Sequence, residues 1–142
     1  MRIVIDSNRV IAALIQDSTT REILLDKNFE FFAPEYIKSE IEKYRKEIIG
    51  KADISKEEFE ILLSLIFESI TIIPQSEYQN LLSELRDITK DFKDIAYFAV
   101  CLLVKADGIW THDTHFKGQK KVKVFTNIDM LGFSRSKVSD SD

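Results

Sequence analysis

A short apolar segment that ends in an acid is the sequence feature that most limits the fold of this chain. Ile3, Val4 and Ile5 lead directly into Asp6, and a helical apolar pattern then runs to about Gln16. A short run of β-branched side chains is typical of a strand buried on both faces of a parallel sheet. Ligands of open α/β sheets bind in the crevice outside the carboxyl ends of the strands. The sequence therefore predicts that Asp6 faces a binding site.

Four more strand-like segments follow, and helical patterns separate them. We predict strands at residues 29–33, 71–73, 109–111 and 122–125. Strands that alternate with helices form a mostly parallel sheet with right-handed crossovers and helices on both faces. The predicted fold is therefore α/β, a three-layer α/β/α sandwich around a five-stranded sheet.

Capping signals predict where several helices begin. Residues 19–22, 55–58 and 76–79 match the capping box, in which Ser or Thr is followed three residues later by Glu or Gln. Pro34 suits the first position of a helix, and the apolar residues after it keep helical spacing to Gly50. We therefore expect one continuous helix after the second strand.

The carboxyl-terminal part of the chain is expected to be less ordered than the rest. Asn127 could cap a last short helix that ends at Leu131, and the residues from Ser134 onward are polar. With 142 residues, 44% of them hydrophobic, the chain has room for one core of good size. We predict a single domain over residues 1–133 and a frayed polar tail over residues 134–142.

Composition excludes several classes of protein. The net charge of -4 provides no general field that attracts nucleic acid, so any such binding needs a local basic patch. Cys101 lies in an apolar run and is interpreted as a buried, inert thiol rather than a nucleophile. No segment has the pattern of a signal peptide or a membrane span, so we expect a cytoplasmic protein without a membrane partner.

Several acids are predicted to meet at one edge of the sheet. Asp113 follows the fourth strand as Asp6 follows the first, and Asp94, three residues after Asp91, lies at the start of the helix that leads to that fourth strand. Glu40 lies about one turn inside the helix after the second strand. Taken singly, each acid could be a helix cap, a turn cap or a solvated side chain. Gathered together they would repel one another strongly unless cations or protons were bound.

The ligand chemistry favours a hard metal ion. Carboxylates and water are the ligands that Mg²⁺ and Mn²⁺ prefer, whereas zinc prefers nitrogen and sulfur. His112 and His115 are the only histidines, and their spacing indicates a transition-metal pair only weakly. We interpret them as ordinary loop residues.

The order of these motifs resembles that of PIN-domain nucleases, from the first strand to the fifth. The residues that carry the resemblance are Ile3–Asn8, Glu40 after Pro34, Asp91-x-x-Asp94 and Thr111-His112-Asp113-x-x-Phe116. The resemblance implies a negatively charged pocket that holds one or two Mg²⁺ or Mn²⁺ ions. It also implies metal-dependent cleavage of single-stranded RNA that leaves a 5′-phosphate and a 3′-hydroxyl.

Residue roles follow from the same resemblance. The catalytic and metal-binding acids would be Asp6, Glu40, Asp94 and Asp113, with Asp91 as a further metal ligand. Ser7, Asn8 and Thr111 would orient these carboxylates or the metal-bound water. Ser7 replaces the threonine that is common in the family, and Arg9 replaces an apolar residue.

Basic residues near these acids are candidates for binding the RNA backbone. We predict phosphate contacts for Arg9 and for the lysines that follow Asp113, namely Lys117, Lys120 and Lys121. The alternative for the lysines is a solvated edge strand that lysine protects from aggregation. His112 could contact phosphate or face solvent.

Several functions remain open on the sequence. The resemblance includes VapC-like toxins of type II toxin-antitoxin pairs, which would add a protein antitoxin and a homodimer to the expected partners; a free-standing RNA-processing enzyme is the other possibility. A PIN-like module that binds RNA or protein without cutting is an alternative from another class. A receiver-like signalling domain fits less well, because it needs an aspartate at the end of the third strand and residues 72–76 contain none.

Overall fold

Five parallel strands form the middle layer of the protein. The computed structural model describes residues 1–87, 92–113, 116, 118–119 and 121–140. In these residues the sheet has the order β3-β2-β1-β4-β5, and every neighbouring pair is parallel. The strands are β1 (Arg2–Ile5), β2 (Glu30–Pro34), β3 (Ile70–Ile73), β4 (Gly108–Trp110) and β5 (Val124–Phe125). The predicted parallel α/β sheet is confirmed.

The order of the strands reverses at the centre of the sheet. The chain adds β2 and β3 on one side of β1 and then crosses to add β4 and β5 on the other side. Ile5 of β1 lies beside Trp110 of β4 in register, so the residues that follow these two strands emerge together. Such a switch point leaves a crevice at the carboxyl ends of the strands.

Helices cover both faces of the sheet. They are α1 (Ser7–Leu14), α2 (Ser18–Leu24), α3 (Tyr36–Lys43), α4 (Arg45–Ala52), α5 (Lys56–Glu68), α6 (Gln75–Tyr78), α7 (Phe92–Val104) and α8 (Asn127–Asp140), with a 3₁₀ turn over Gln79–Leu81. Among the described residues, none of the helices combines the length and hydropathy that a bilayer crossing needs.

Two hydrophobic clusters lie on opposite faces of the sheet. In β1, Ile3 and Ile5 belong to one cluster and Val4 belongs to the other, as expected from the alternation of side chains along a strand. The helices α1, α2 and α5 contribute to the first cluster, and α7 fills the second. Cys101 of α7 is buried in the second cluster, and burial raises the pKa of its thiol, consistent with an inert side chain. The three-layer arrangement is therefore as predicted.

The helix predicted from Pro34 to Gly50 is wrong in two respects. Pro34 is the last residue of β2 and lies in register with Ile73 of β3, so strand pairing overrides its preference for a helix start. The helical region then breaks at Tyr44, which ends α3 and precedes α4. Apolar spacing alone gave no sign of this break.

One of the three predicted capping boxes is present. The side chain of Ser55 accepts a hydrogen bond from the Glu58 backbone at 3.1 Å, and Glu58 accepts one from the Ser55 backbone at 3.2 Å. The other two predictions are wrong. Asp17, and not Thr19, caps α2, accepting from the Thr20 backbone at 3.0 Å. Ser76 lies inside the short α6, which begins at residue 75 without a side-chain cap.

The last helix is longer than predicted. It runs to Asp140 rather than to Leu131, so most of the tail predicted to fray from residue 134 is helical. Two contacts near its middle account for the difference. Phe133 packs edge-on against Phe125 with ring centroids 4.8 Å apart, and the Ser134 hydroxyl donates to Asp26.

Candidate metal centre

The candidate site lies at the switch point between β1 and β4. Asp6 follows β1, and its backbone N–H donates to the carbonyl oxygen of Trp110 at 3.1 Å. Thr111 follows β4, and its hydroxyl donates to Oδ2 of Asp6 at 2.7 Å. The predicted proximity of these two strand ends is therefore observed.

Asp6 combines a structural role with an unfavourable charge. Its side chain caps α1 by accepting from the Ser7 backbone at 2.8 Å. The carboxyl is only 6% exposed, and burial raises its pKa from 3.8 to about 6. The hydrogen bonds from Thr111 and Ser7 oppose this increase, whereas the charges of Glu40 and Asp113 add to it. The ionised form of Asp6 therefore destabilises the metal-free fold.

The Ser7 hydroxyl joins Asp6 to Glu40. Its oxygen lies 3.5 Å from Oδ1 of Asp6 and 3.3 Å from Oε2 of Glu40. A serine hydroxyl has one hydrogen, so it can donate to only one of these carboxylates at a time. The two acids therefore lie on either side of a single donor.

Tyr97 is a site residue that the sequence did not identify. Its hydroxyl donates to Oε1 of Glu40 at 2.7 Å. Burial, followed by the charges of Asp6 and Glu40, raises the pKa of Tyr97 well above its ordinary value, so the hydroxyl keeps its proton. Tyr97 lies in an apolar helical run, where an aromatic side chain is normally part of the core. The one available signal was its position three residues after Asp94, on the same side of a helix.

Asp94 is a buried acid in the first turn of α7. It is 8% exposed, and α7 packs against β1, β2 and β4. One turn further along the helix is Tyr97, which contacts Glu40. Asp94 therefore lies on the helix that forms one side of the site.

Asp113 approaches the site from the loop after β4. Its backbone N–H donates to the Thr111 hydroxyl oxygen at 2.9 Å, and its charge contributes to the raised pKa of Asp6. Asp91, the predicted outer ligand, lies outside the described residues, as do His115, Lys117 and Lys120. Of the predicted catalytic acids, Asp6 and Glu40 thus lie on either side of the Ser7 hydroxyl, and Asp113 lies near enough for its charge to act on Asp6.

The basic residues have different surroundings. Arg9 is only 8% exposed, and its Nε donates to Oδ1 of Asn8 at 3.0 Å. This placement does not support the predicted contact between Arg9 and nucleic acid. Lys121 is exposed. His112 is also exposed, and its Nε2 accepts the Asn127 backbone N–H at 3.2 Å.

The donor atoms fit a hard divalent ion bound largely through water. Carboxylate oxygens from Asp6, Glu40 and Asp113 are the ligands that Mg²⁺ and Mn²⁺ prefer. In the described part of the chain, however, no three His, Cys, Asp or Glu side chains are grouped closely enough to hold one ion. Mg²⁺ commonly binds through one or two carboxylates and keeps several waters, which is compatible with these surroundings.

Comparisons with known proteins identify the fold and the family of this chain. One chain in the crystal structure of VapBC2 from Rickettsia felis bound to a DNA fragment from their promoter has a similar fold, with a TM-score of 0.64. The match has 17% sequence identity and covers 89% of this chain and 98% of that one. No curated protein matches the sequence. The family model described as a PIN domain matches residues 4–129, and on that match this chain belongs to the PIN-domain family.

Proposed function

We propose that this protein is a metal-dependent endoribonuclease that hydrolyses phosphodiester bonds of single-stranded RNA. Membership of the PIN-domain family supports nuclease activity in general. The observation that carries the proposal is the pair formed by Asp6 and Glu40, which share the Ser7 hydroxyl at the switch point of the sheet. RNA as the substrate follows from the resemblance to PIN-domain nucleases.

The charge of the site supports a bound cation. The charges of Glu40 and Asp113 both raise the pKa of Asp6, whose carboxyl is already destabilised by burial. A divalent cation would offset both the burial of Asp6 and the repulsion from its neighbours, because it attracts all three carboxylates. The proposed cofactor is therefore Mg²⁺ or Mn²⁺, as one or two ions.

The proposed ligands are held by directed hydrogen bonds. Each oxygen of Asp6 accepts one strong donor, from Ser7 N–H or from Thr111, and Oε1 of Glu40 accepts the Tyr97 hydroxyl. A carboxylate oxygen has two acceptor sites, so it can accept a hydrogen bond and bind a metal ion at the same time. We propose Asp94 and Asp113 as the remaining catalytic acids.

The proposed mechanism requires no histidine base. A divalent ion bound at this site would supply a water of lowered pKa and would stabilise charge on the phosphate oxygens. The acids would hold the ion, and Ser7 and Thr111 hold the acids by hydrogen bonds. His112 Nε2 already accepts the Asn127 N–H, so in this arrangement the nitrogen is not free to take a proton from water.

The RNA backbone is proposed to pass the loop between β4 and β5. Lys121 and Lys123 are exposed there, and they follow Asp113 in the chain. Lysine neutralises phosphate without reading the base sequence. These contacts would thus position a strand beside the acids.

A role as the toxin of a type II toxin-antitoxin pair is part of the proposal. The similarity to a chain of the VapBC2 complex supports it, and a small protein antitoxin is the proposed partner. The proposed homodimer follows from the family resemblance. The observation that separates this role from general RNA processing is the neighbouring reading frame. A small DNA-binding protein encoded beside this chain favours the toxin role.

The decisive experiment measures cleavage of a labelled single-stranded RNA. We expect slow cleavage in Mn²⁺ or Mg²⁺, products with a 5′-phosphate, and no cleavage in excess chelator. Asp6→Asn should abolish activity. Asp17→Asn is the matched control, because Asp17 is also a helix cap but lies on α2. Undiminished cleavage in chelator, or by Asp6→Asn, contradicts the proposal.

A further inference from the structure

We propose that Arg9 is a positioning residue for the candidate metal centre and acts on Asp6 through a relay of hydrogen bonds. The relay consists of Arg9, Asn8, Thr111 and Asp6, and we call it the Arg9 relay. Its effect on metal binding rests on the proposed function, whereas its hydrogen bonds can be tested without metal.

The three bonds of the Arg9 relay all donate in one direction. Arg9 Nε donates to Asn8 Oδ1 at 3.0 Å, and Asn8 Nδ2 donates to Thr111 Oγ1 at 3.1 Å. The Thr111 hydroxyl then donates to Asp6 Oδ2 at 2.7 Å. A buried guanidinium is thus connected to a buried carboxylate through two neutral side chains.

Only one orientation of the Asn8 amide satisfies its neighbours. Thr111 has a single hydroxyl hydrogen, which it gives to Asp6, so its oxygen can only accept from Asn8 and from the Asp113 backbone. The Asn8 nitrogen must therefore face Thr111, and its oxygen must face Arg9. The His112 backbone N–H also points at this oxygen, but at 3.5 Å it is the weaker donor.

Arg9 is itself held in place on two other helices. Its Nη1 lies 3.4 Å from the Thr20 hydroxyl on α2 and 3.5 Å from Oδ1 of Asn127 at the start of α8. Thr20 and Asn127 are joined to each other by a bond of 3.2 Å, and Trp110 Nε1 donates to Asn127 Oδ1 at 2.9 Å. The guanidinium therefore has a fixed direction.

Burying the Arg9 guanidinium is unfavourable in free energy unless its charge and hydrogen bonds are used. A guanidinium loses its hydration when it is buried, whereas an apolar side chain would fill the same space without that penalty. Holding the amide of Asn8 is a task that an apolar side chain cannot perform. This gives a physical reason for a buried arginine beside the site.

Loss of the Arg9 side chain should break the hydrogen bond that orients Asp6. Without the donor at Nε, the Asn8 amide can turn and present its oxygen to Thr111. The Thr111 hydroxyl would then donate to Asn8, and Asp6 Oδ2 would lose its partner. Residues that hold metal ligands in this way typically contribute 10–100-fold to metal affinity. Because Arg9 acts through two intermediates, we expect the lower end, a roughly 10-fold rise in the Kd for Mn²⁺.

The first test uses metal-free, ¹⁵N-labelled protein. Hydrogen exchange of the Asn8 side-chain amide should be slow in the wild type, because Nδ2 is bonded to Thr111. It should become at least several-fold faster in Arg9→Met. Arg21→Met is the control: Arg21 lies on α2 and donates through Nε to the Ala13 carbonyl at 2.6 Å, outside the relay. An Asn8 amide that exchanges equally slowly in Arg9→Met overturns the relay.

The second test measures the Kd for Mn²⁺ by electron paramagnetic resonance of the free ion. Arg9→Met should raise the Kd about 10-fold and Arg21→Met should leave it unchanged. Arg9→Lys, which keeps the charge but lacks the directed Nε donor, provides a second variant if Arg9→Met does not fold. Because both residues act in one relay, Arg9→Met combined with Asn8→Ala should bind no more weakly than Asn8→Ala alone.

The outcomes separate the inference from the proposed function. A folded Arg9→Met or Arg9→Lys variant with wild-type Kd overturns the positioning role while the metal site stands. Additive losses in the double variant do the same. A wild-type protein that binds no Mn²⁺ overturns the proposed function and the role of Arg9 in metal binding, whatever the amide exchange of Asn8 shows about the hydrogen bonds.

Discussion

Replacing Asp6 by asparagine is expected to stabilise the metal-free protein. The fold raises the pKa of Asp6 from 3.8 to about 6, and a difference of one in pKa corresponds to about 1.4 kcal/mol. Near pH 7.5 the charged carboxylate therefore costs the fold about 3 kcal/mol. Asparagine is as good a helix cap as aspartate and can still accept from the Ser7 backbone. Its amide nitrogen cannot accept from Thr111, which costs about 1 kcal/mol.

The net gain for Asp6→Asn is thus about 1–2 kcal/mol, or an increase in Tm of about 3–8 °C for a chain of this size. The gain should depend on pH. Because the pKa of Asp6 is higher in the folded than in the unfolded chain, the folded protein binds more protons between about pH 4 and pH 6. The contribution of Asp6 to stability therefore becomes less favourable as pH rises through this window. The advantage of the variant should be complete above it and absent below it.

Thermal melts from pH 4 to pH 8 in excess chelator measure this effect. Asp17→Asn is the matched control, since the backbone hydrogen bond from Thr20 lowers the pKa of Asp17 and its charge is favourable. That variant should gain no stability. An Asp6→Asn protein that is less stable than wild type at pH 7.5, or whose advantage is the same at pH 4 and pH 8, would refute the reasoning. Millimolar Mn²⁺ should raise the Tm of the wild type, because an ion at a hundred times its Kd stabilises the fold by about 2.7 kcal/mol. The Tm of Asp6→Asn should stay nearly the same.

Three further predictions concern the site and the sheet. Tyr97→Phe removes the hydroxyl that donates to Glu40 and should raise the Kd for Mn²⁺ by about 10–100-fold. The control is Tyr78→Phe, at a buried tyrosine on α6, which should leave the Kd unchanged. Equal affinities for the two variants would exclude a role for the Tyr97 hydroxyl. Asp94→Asn should lose most of the Mn²⁺ shift in Tm, and a full shift would remove this acid from the site. Gly108→Ala places a Cβ against the ring of Phe125 and 2.8 Å from the carbonyl oxygen of Lys123, and it should lower stability by about 1–3 kcal/mol in a urea titration. The control is Gly50→Ala, in a helix with open space around the new methyl group, which should raise stability by about 0.4–1 kcal/mol. A Gly108→Ala protein as stable as the wild type would contradict the tight contact between the strands.

Features encoded in short stretches of sequence were predictable. The apolar run before Asp6 and the capping box at Ser55 each depend on neighbouring residues only, and both have their predicted structure. The meeting of Asp6 with the turn after β4 also followed, because both come directly after apolar strands of one parallel sheet. In these cases local preference and the final fold agree.

Features that depend on partners far away in the chain were not predictable. Tyr97 and Glu40 are 57 residues apart, and only the fold shows that a core aromatic side chain reaches an acid. The sequence predicted a phosphate contact for Arg9, whereas in the fold its side chain contacts Thr20 on α2 and Asn127 on α8. Pro34 favoured a helix start, but pairing between β2 and β3 outweighed that preference. These features depend on tertiary contacts that no local pattern contains.

The bond between Tyr97 and Glu40 has a mechanical consequence for the protein. Tyr97 belongs to the outer layer that packs on one face of the sheet, and Glu40 belongs to the layer on the other face, so the bond fastens the two layers across the strand ends. Repulsion among the acids at the same place pushes these layers apart when no cation is present. A bound cation should therefore reduce this repulsion and slow local opening motions at this end of the sandwich. Amide hydrogen exchange in the first turns of α3 and α7 is expected to slow with Mn²⁺, while exchange at the opposite end of the sheet stays the same.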